Sequence, residues 1–275
     1  MHDHVGSTEG NPKIRFWSAG DSGPRILFVM GYAMRGDLWR PQIEGLSADC
    51  RVAWYDHRGI GESERGPKKR WTIGDMAQDA LRVLDTLGWE TCHLVGVSMG
   101  GMIAQEMALA SESRFLSLSL IVTHAGGPLV RKLPPIQGLR AFIAANFKRG
   151  DDRTNAIRVL LYPDEYVQVT DQEALRQRIK FQLGRPTARS TSLAHLYAVS
   201  RHDTRSRLKR LSLPTLIVKA EKDILVQPKS ADRLQALMPH ARMVSFADAG
   251  HGIIFQKADA LNQCIREHIQ AIKKP

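Results

Sequence analysis

The chain has 275 residues, 43% hydrophobic and 24% charged, enough for one large core with room for an inserted subdomain. No apolar run reaches the roughly 18 residues of a membrane-spanning helix, and residues 1–10 lack the basic-then-apolar layout of a secretory signal. Three scattered cysteines, Cys50, Cys92 and Cys264, suggest neither a disulfide framework nor a metal site; a reduced, cytoplasmic, soluble protein is expected.

The net charge of +11 is unevenly spread. Between Arg131 and Arg210 stand 17 Lys/Arg against 7 Asp/Glu, which leaves the rest of the chain near neutral. Such a segment is compatible with an anionic substrate, with peripheral contact to a phospholipid surface, or with a solvated basic face. No zinc-finger spacing or RNA-binding aromatic run accompanies the charge, so specific nucleic-acid binding is not expected.

In chain order, residues 25–30 and 51–55 are apolar runs that predict buried strands. Residues 72–87 predict a helix, with Thr72 and Asp75 as a capping box, apolar residues at helical spacing and Gly88 as the stop. A strand over 93–97, a helix over 99–110 and a strand over 116–122 complete an alternation that indicates a parallel sheet flanked by helices. The alternation then stops. Residues 139–147, 153–161, 172–183 and 191–200 predict helices, separated by breakers at Pro134–Pro135, Gly150, Pro163 and Gly184–Pro186. Strand and helix alternate again at 215–218, 228–238, 243–246 and 256–272. The expected organisation is a core over 1–126 and 208–275, with a helical cap over 127–207.

Gly96-Val97-Ser98-Met99-Gly100 fits the G-x-S-x-G pattern between a strand and a helix, the context of a nucleophile elbow. A serine there sits on a sharp turn that needs small neighbours two positions away, and the following helix aims its N–H groups at developing negative charge. Serine needs a base, and the base an orienting acid. Asp223 and His251 each follow a strand, at the same sheet edge as Ser98, in the chain order this arrangement requires. Asp248 and Glu221 are rival acids, read as solvated carboxylates. The oxyanion donors expected are the backbone N–H groups of Met99 and of Tyr32, in the loop after the first buried strand. His124 follows a strand at the same edge and is a candidate for lining the pocket, against a purely structural role. His2, His4, His240 and His268 read as terminal or surface residues. Apolar residues Leu139, Phe142, Ile143, Phe147, Leu160 and Leu161 would line the pocket or, the reading favoured for most of them, form the cap's own core.

Four segments together resemble the α/β-hydrolase superfamily over nearly the whole chain. They are Met30-Gly31-Tyr32, Asp56-His57-Arg58-Gly59-Ile60-Gly61-Glu62-Ser63, Gly96 through Gln105, and Asp248-Ala249-Gly250-His251-Gly252. The likeness is to the cap-bearing serine esterases, enol-lactonases and C–C hydrolases. It implies an α/β-hydrolase fold with Ser98 as nucleophile, Asp223 as orienting acid, His251 as base, and Tyr32 and Met99 as oxyanion donors. Met30 departs from the pattern, which commonly has histidine before the glycine. The resemblance implies hydrolysis of a carboxylic ester, thioester or lactone of a small molecule through an acyl-enzyme, with no cofactor or metal. C–C bond hydrolysis, acyl transfer, or slow hydrolysis by a ligand receptor of the same fold are the alternatives, and the oligomeric state is not implied.

Overall fold

A computed structural model describes residues 4–127, 136–184 and 187–272. The start of the chain, the Pro134–Pro135 breaker and Pro186 lie outside them. Strands β1 (His4–Ser7), β2 (Arg15–Ala19), β3 (Arg25–Val29), β4 (Arg51–Tyr55), β5 (Cys92–Val97), β6 (Phe115–Ile121), β7 (Thr215–Ala220) and β8 (Arg242–Phe246) form one sheet in the order β1-β2-β4-β3-β5-β6-β7-β8. The β1–β2 and β2–β4 pairings are antiparallel and the other five are parallel.

The strands are apolar on both faces because helices cover both, and successive residues feed opposite cores. Leu27, Val29, Leu94 and Leu118 point into a cluster with α2 (Ile73–Thr86) and α3 (Met99–Ala110). Ile26, Phe28, Val95 and Val97 point the other way, toward residues of α1 (Arg40–Leu46) and of the C-terminal helix. The capping box forms as expected: Thr72 Oγ1 accepts from the Asp75 N–H, and Asp75 Oδ2 accepts from the Thr72 N–H.

Between β6 and β7 stand α4 (Ile136–Phe147), α5 (Gly150–Leu161), α6 (Asp164–Val169), α7 (Gln172–Leu183), α8 (Arg189–Arg201) and the short α9 (Arg205–Leu208). Helices α4 to α7 share a small cluster of their own, built on Ala141, Ala145, Ile157, Leu160, Leu175 and Ile179. Helix α10 (Lys229–Leu237) follows β7, and α11 (Ile253–Gln256) and α12 (Ala258–Gln270) end the chain.

Three features depart from the sequence reading. The β1–β2 hairpin and α1 lie in stretches without a buried apolar run or a full helical period. Pro163, taken as a breaker, has φ −61° and is the N-cap of α6, the place where a fixed φ and a missing N–H cost least. A short helix, α11 (Ile253–Gln256), precedes the last one, separated from it by Lys257 at φ −127° and ψ 40°.

Candidate active site

Ser98 lies between β5 and α3 with φ +54° and ψ −121°, a backbone conformation a non-glycine residue adopts only when its surroundings over-determine it. The neighbouring glycines make that possible. A Cβ on Gly96 would stand 2.4 Å from the Gly100 carbonyl oxygen, and one on Gly100 would stand 2.0 Å from that of Val29. The turn is pinned by the Ser98 N–H donating to the Ile121 carbonyl at 2.9 Å, and by Thr123 Oγ1 donating to the Ser98 carbonyl at 2.6 Å.

Three side chains converge there. His251 Nε2 is 3.0 Å from Ser98 Oγ, and His251 Nδ1 is 2.7 Å from Asp223 Oδ2. A carboxylate at Nδ1 holds the proton on that nitrogen and leaves Nε2 as the acceptor facing the hydroxyl. Asp223 is itself fixed, its Oδ1 accepting from the N–H groups of Leu225 and Val226 at 2.8 Å each. Its side chain is 1% exposed. The two loops are laced together by Glu221 N–H to Phe246 O and Lys222 N–H to Ala249 O. The glycines flanking His251 are required by the end of α5: a Cβ on Gly250 or Gly252 would lie 2.7 or 2.9 Å from the Leu161 carbonyl oxygen. The rival acids lie elsewhere, Asp248 paired with Lys257 and Glu221 with Lys219 and Ser245.

Ser98 and His251 open into a cavity of about 720 Å³. Gly31 and Tyr32 line it from the loop after β3, and the Tyr32 N–H has no partner among the described residues. The Met99 N–H, at the first turn of α3, has none either. The walls are largely apolar, with Met34, Leu38, Val97, Leu225 and Ile254 from the core and Phe142, Phe147, Leu160 and Leu161 from the helices between β6 and β7. Of the six apolar residues weighed for pocket or cap core, Phe142, Phe147, Leu160 and Leu161 line the cavity, and Phe142, Leu160 and Leu161 also pack in the cluster of the inserted helices. The α4–α5 pair turns those side chains toward the sheet edge. Lys148, Arg149, Arg153 and Arg189 also line the cavity, and none has an ion-pair partner among the described residues.

His124 does not line the cavity. Its Nδ1 turns back to accept from the Gly126 N–H at 3.0 Å, and burial, then the neighbouring His202, lower its pKa to about 3. His268, expected at the surface, is buried on α12. His195 on α8, 0% exposed, carries no sequence signal of a role: its Nδ1 accepts from the Ala33 N–H beside Tyr32 at 3.3 Å. Nothing local marks it, since the two residues lie 162 positions apart.

No helix among the described residues is long and apolar enough to cross a membrane, and none of their His, Cys, Asp and Glu side chains cluster as a metal site would require.

Comparison with known proteins places the chain. It is 30% identical over 258 residues to a protein of Azorhizobium caulinodans named "Putative carbamate hydrolase RutD", covering 89% of this chain and 90% of the relative. A thermophilic esterase from Thermogutta terrifontis superposes with a TM-score of 0.81 at 24% identity over all of both chains. The enol-lactonase from Burkholderia xenovorans LB400 does so with a TM-score of 0.81 at 22% identity, covering 97% of this chain and all of the other. The family model for the alpha/beta hydrolase fold matches residues 24–258, and the chain belongs to that family.

Proposed function

We propose that this hydrolase is a serine hydrolase that cleaves a carboxylic ester, or a related thioester or lactone, through an acyl-enzyme. One observation carries the reading: an unbroken hydrogen-bonded chain from Asp223 through His251 to Ser98, with the serine on a strained turn at the floor of a cavity. His251 Nε2 takes the Ser98 proton as Oγ bonds to the carbonyl carbon. The oxyanion is received by the N–H groups of Met99 and Tyr32, neither of which has a partner among the described residues. His251 then protonates the leaving group, and water, activated by the same imidazole, releases the acid.

Residues 127–207 act as a cap over this edge of the sheet and shape the substrate. Their apolar side chains favour an apolar acyl or alcohol group, and the unpaired Lys148, Arg149, Arg153 and Arg189 favour an anionic end. A carbamate is the second reading, favoured by the name of the 30% identical relative; it presents the same carbonyl to Ser98 with nitrogen on one side. A fluorophosphonate label competed by ester, lactone and carbamate panels tests both. Labelling of wild type but not of Ser98→Ala, with turnover of one panel, is the expected result; an unlabelled wild-type protein would refute the reading.

A further inference from the structure

The loop that offers the Tyr32 N–H is not held by the sheet that carries Ser98. Its groups are bound from two directions. From the core, His57 Nε2 donates to the Met30 carbonyl oxygen at 2.7 Å. From the residues between β6 and β7, His195 Nδ1 on α8 accepts from the Ala33 N–H at 3.3 Å, and Thr187 Oγ1 in the loop before α8 donates to the Ala33 carbonyl at 3.0 Å. The Tyr32 hydroxyl spans α4 and α8, within 3.0 Å of Asn146 Oδ1 and 3.1 Å of the Ser192 carbonyl oxygen. Ala33 has φ +54°, and both of its backbone polar groups are bound by side chains of that segment, His195 and Thr187. An alanine stays in that region only under such constraint.

We propose that His195 is a positioning residue for the oxyanion site: by holding the Ala33 N–H it sets the direction of the adjacent Tyr32 N–H, so that the donor is in place only while α8 is seated on the core. The inference rests on the serine-hydrolase reading above.

The protonation states suit this task. A carbonyl can only accept, so the His57 proton is on Nε2; an N–H can only donate, so the His195 proton is on Nε2 and its Nδ1 is bare. Burial is the first cause that lowers the two pKa values, to about 4 for His57 and about 3 for His195. The rings meet edge to face at 5.9 Å, with Trp71 against His195 and Tyr55 against His57. His57 Nδ1 is buried without a partner, a cost that asks for a compensating role. Arg58 anchors the floor of this arrangement through two bonds to Asp79, at 2.6 and 2.8 Å. Neither histidine reaches Ser98 or lines the cavity, so neither transfers a proton in the reaction.

The test compares wild type with His195→Ala, His195→Asn and Tyr32→Phe, using p-nitrophenyl butyrate and an alkyl trifluoromethyl ketone whose hemiketal oxyanion needs the same donors. Misplacing one donor by about 1 Å costs on the order of a hundredfold. His195→Ala is therefore expected to lower kcat about 10- to 100-fold with KM within about threefold of wild type. The ketone's inhibition constant should rise in proportion to the loss in kcat/KM. His195→Asn, which keeps an acceptor at the δ position, should recover most of both. Tyr32→Phe opens no void and should show the same coupled loss at several-fold size, which keeps the test decisive should His195→Ala not fold. Wild-type kcat in His195→Ala or Tyr32→Phe, a kcat loss without weaker ketone binding, or a folded His195→Asn no better than alanine would each overturn the proposal. Failure of the serine-hydrolase reading would look different: wild type itself would neither take a fluorophosphonate label nor bind the ketone.

Discussion

Ser98, Asp223 and His251 each follow a parallel strand, and backbone hydrogen bonds between neighbouring loops hold them in place. The residues between β6 and β7 are held mostly by side chains. Their shared cluster has nine buried members, three of them alanine, against the two large clusters on either face of the sheet. Seven of the eight large hydrophobic side chains exposed among the described residues lie between Ile136 and Tyr197. A region that buries little and exposes much gains less from packing, so its seat on the core depends on a few polar contacts. On the proposed reading, chemistry sits on the rigid part, and selection and donor placement on the weaker part.

The largest expected effect tests the rigid side. Ser98→Ala and His251→Ala should each lower kcat/KM about a million-fold, and Asp223→Asn about ten-thousand-fold, by loss of the correct imidazole tautomer. Circular dichroism and thermal melts should stay near wild type, because none of these changes touches the hydrophobic clusters. Activity of purified Ser98→Ala within a hundredfold of wild type would remove the sheet edge as the seat of the chemistry.

Acid should loosen the seam between the two regions. His57 and His195 lie on one part of it, His124 and His202 on another, 6.3 Å apart. Burial is the largest cause for all four, lowering their pKa values to about 4, 3, 3 and 4 from 6.5. Arg58 beside the first pair and Arg207 near His202 act in the same direction, while Asp203 opposes. Folded-state values below the unfolded one mean that unfolding takes up protons under pH 6.5. Stability is therefore full above that pH and is lost as pH falls toward 4, by roughly 1.4 kcal/mol per pH unit for each imidazole kept neutral. Denaturant midpoints from pH 7.5 to 5 should show uptake of more than one proton; a flat profile would contradict the burial of these rings.

Truncations compare the packing directly. Leu120, fully buried in β6, should lose about 3–4 kcal/mol on conversion to alanine, within the usual range for a large-to-small core change. Leu160, buried in the smaller cluster and lining the cavity, should lose about 2 kcal/mol, since a wall next to open space collapses more readily. Leu160→Ala should also change KM, which Leu120→Ala should not. Equal losses and unchanged KM would mean that the two regions pack alike.

What the sequence made legible follows the same division. The parallel strands are continuous apolar runs between breakers, and the elbow is a five-residue pattern, so both are local signals. Arg15-Phe16-Trp17-Ser18-Ala19 was not legible as β2, because it buries only Phe16 and Ala19 and pairs at the antiparallel end of the sheet. His124 stands at the right edge, but its ring direction is set by the Gly126 N–H, which no spacing reveals. His195, Thr187 and Asn146 act on the loop after β3 across 114 to 162 positions, and such contacts leave no periodicity to read.

The smallest effect concerns the charged wall. Lys148, Arg149 and Arg189 are exposed and Arg153 is half-buried, with its Nε donating to the Ala145 carbonyl. Exposed cations act on a ligand through a screened field, so their influence is modest and salt-dependent, unlike that of the buried Asp223. For an ester with a carboxylate at its far end, kcat/KM should fall roughly tenfold between low and high salt, and a neutral ester of equal length should barely respond. Arg149→Ala with Arg189→Ala should remove most of that salt dependence while leaving kcat unchanged, because neither side chain reaches Ser98. Arg153, the least exposed of the four, should retain part of its effect at high salt, where a field from mobile surface charge vanishes. A neutral ester that responds to salt as strongly as its anionic partner would show that the charge acts on the seating of the helices between β6 and β7 and not on the substrate.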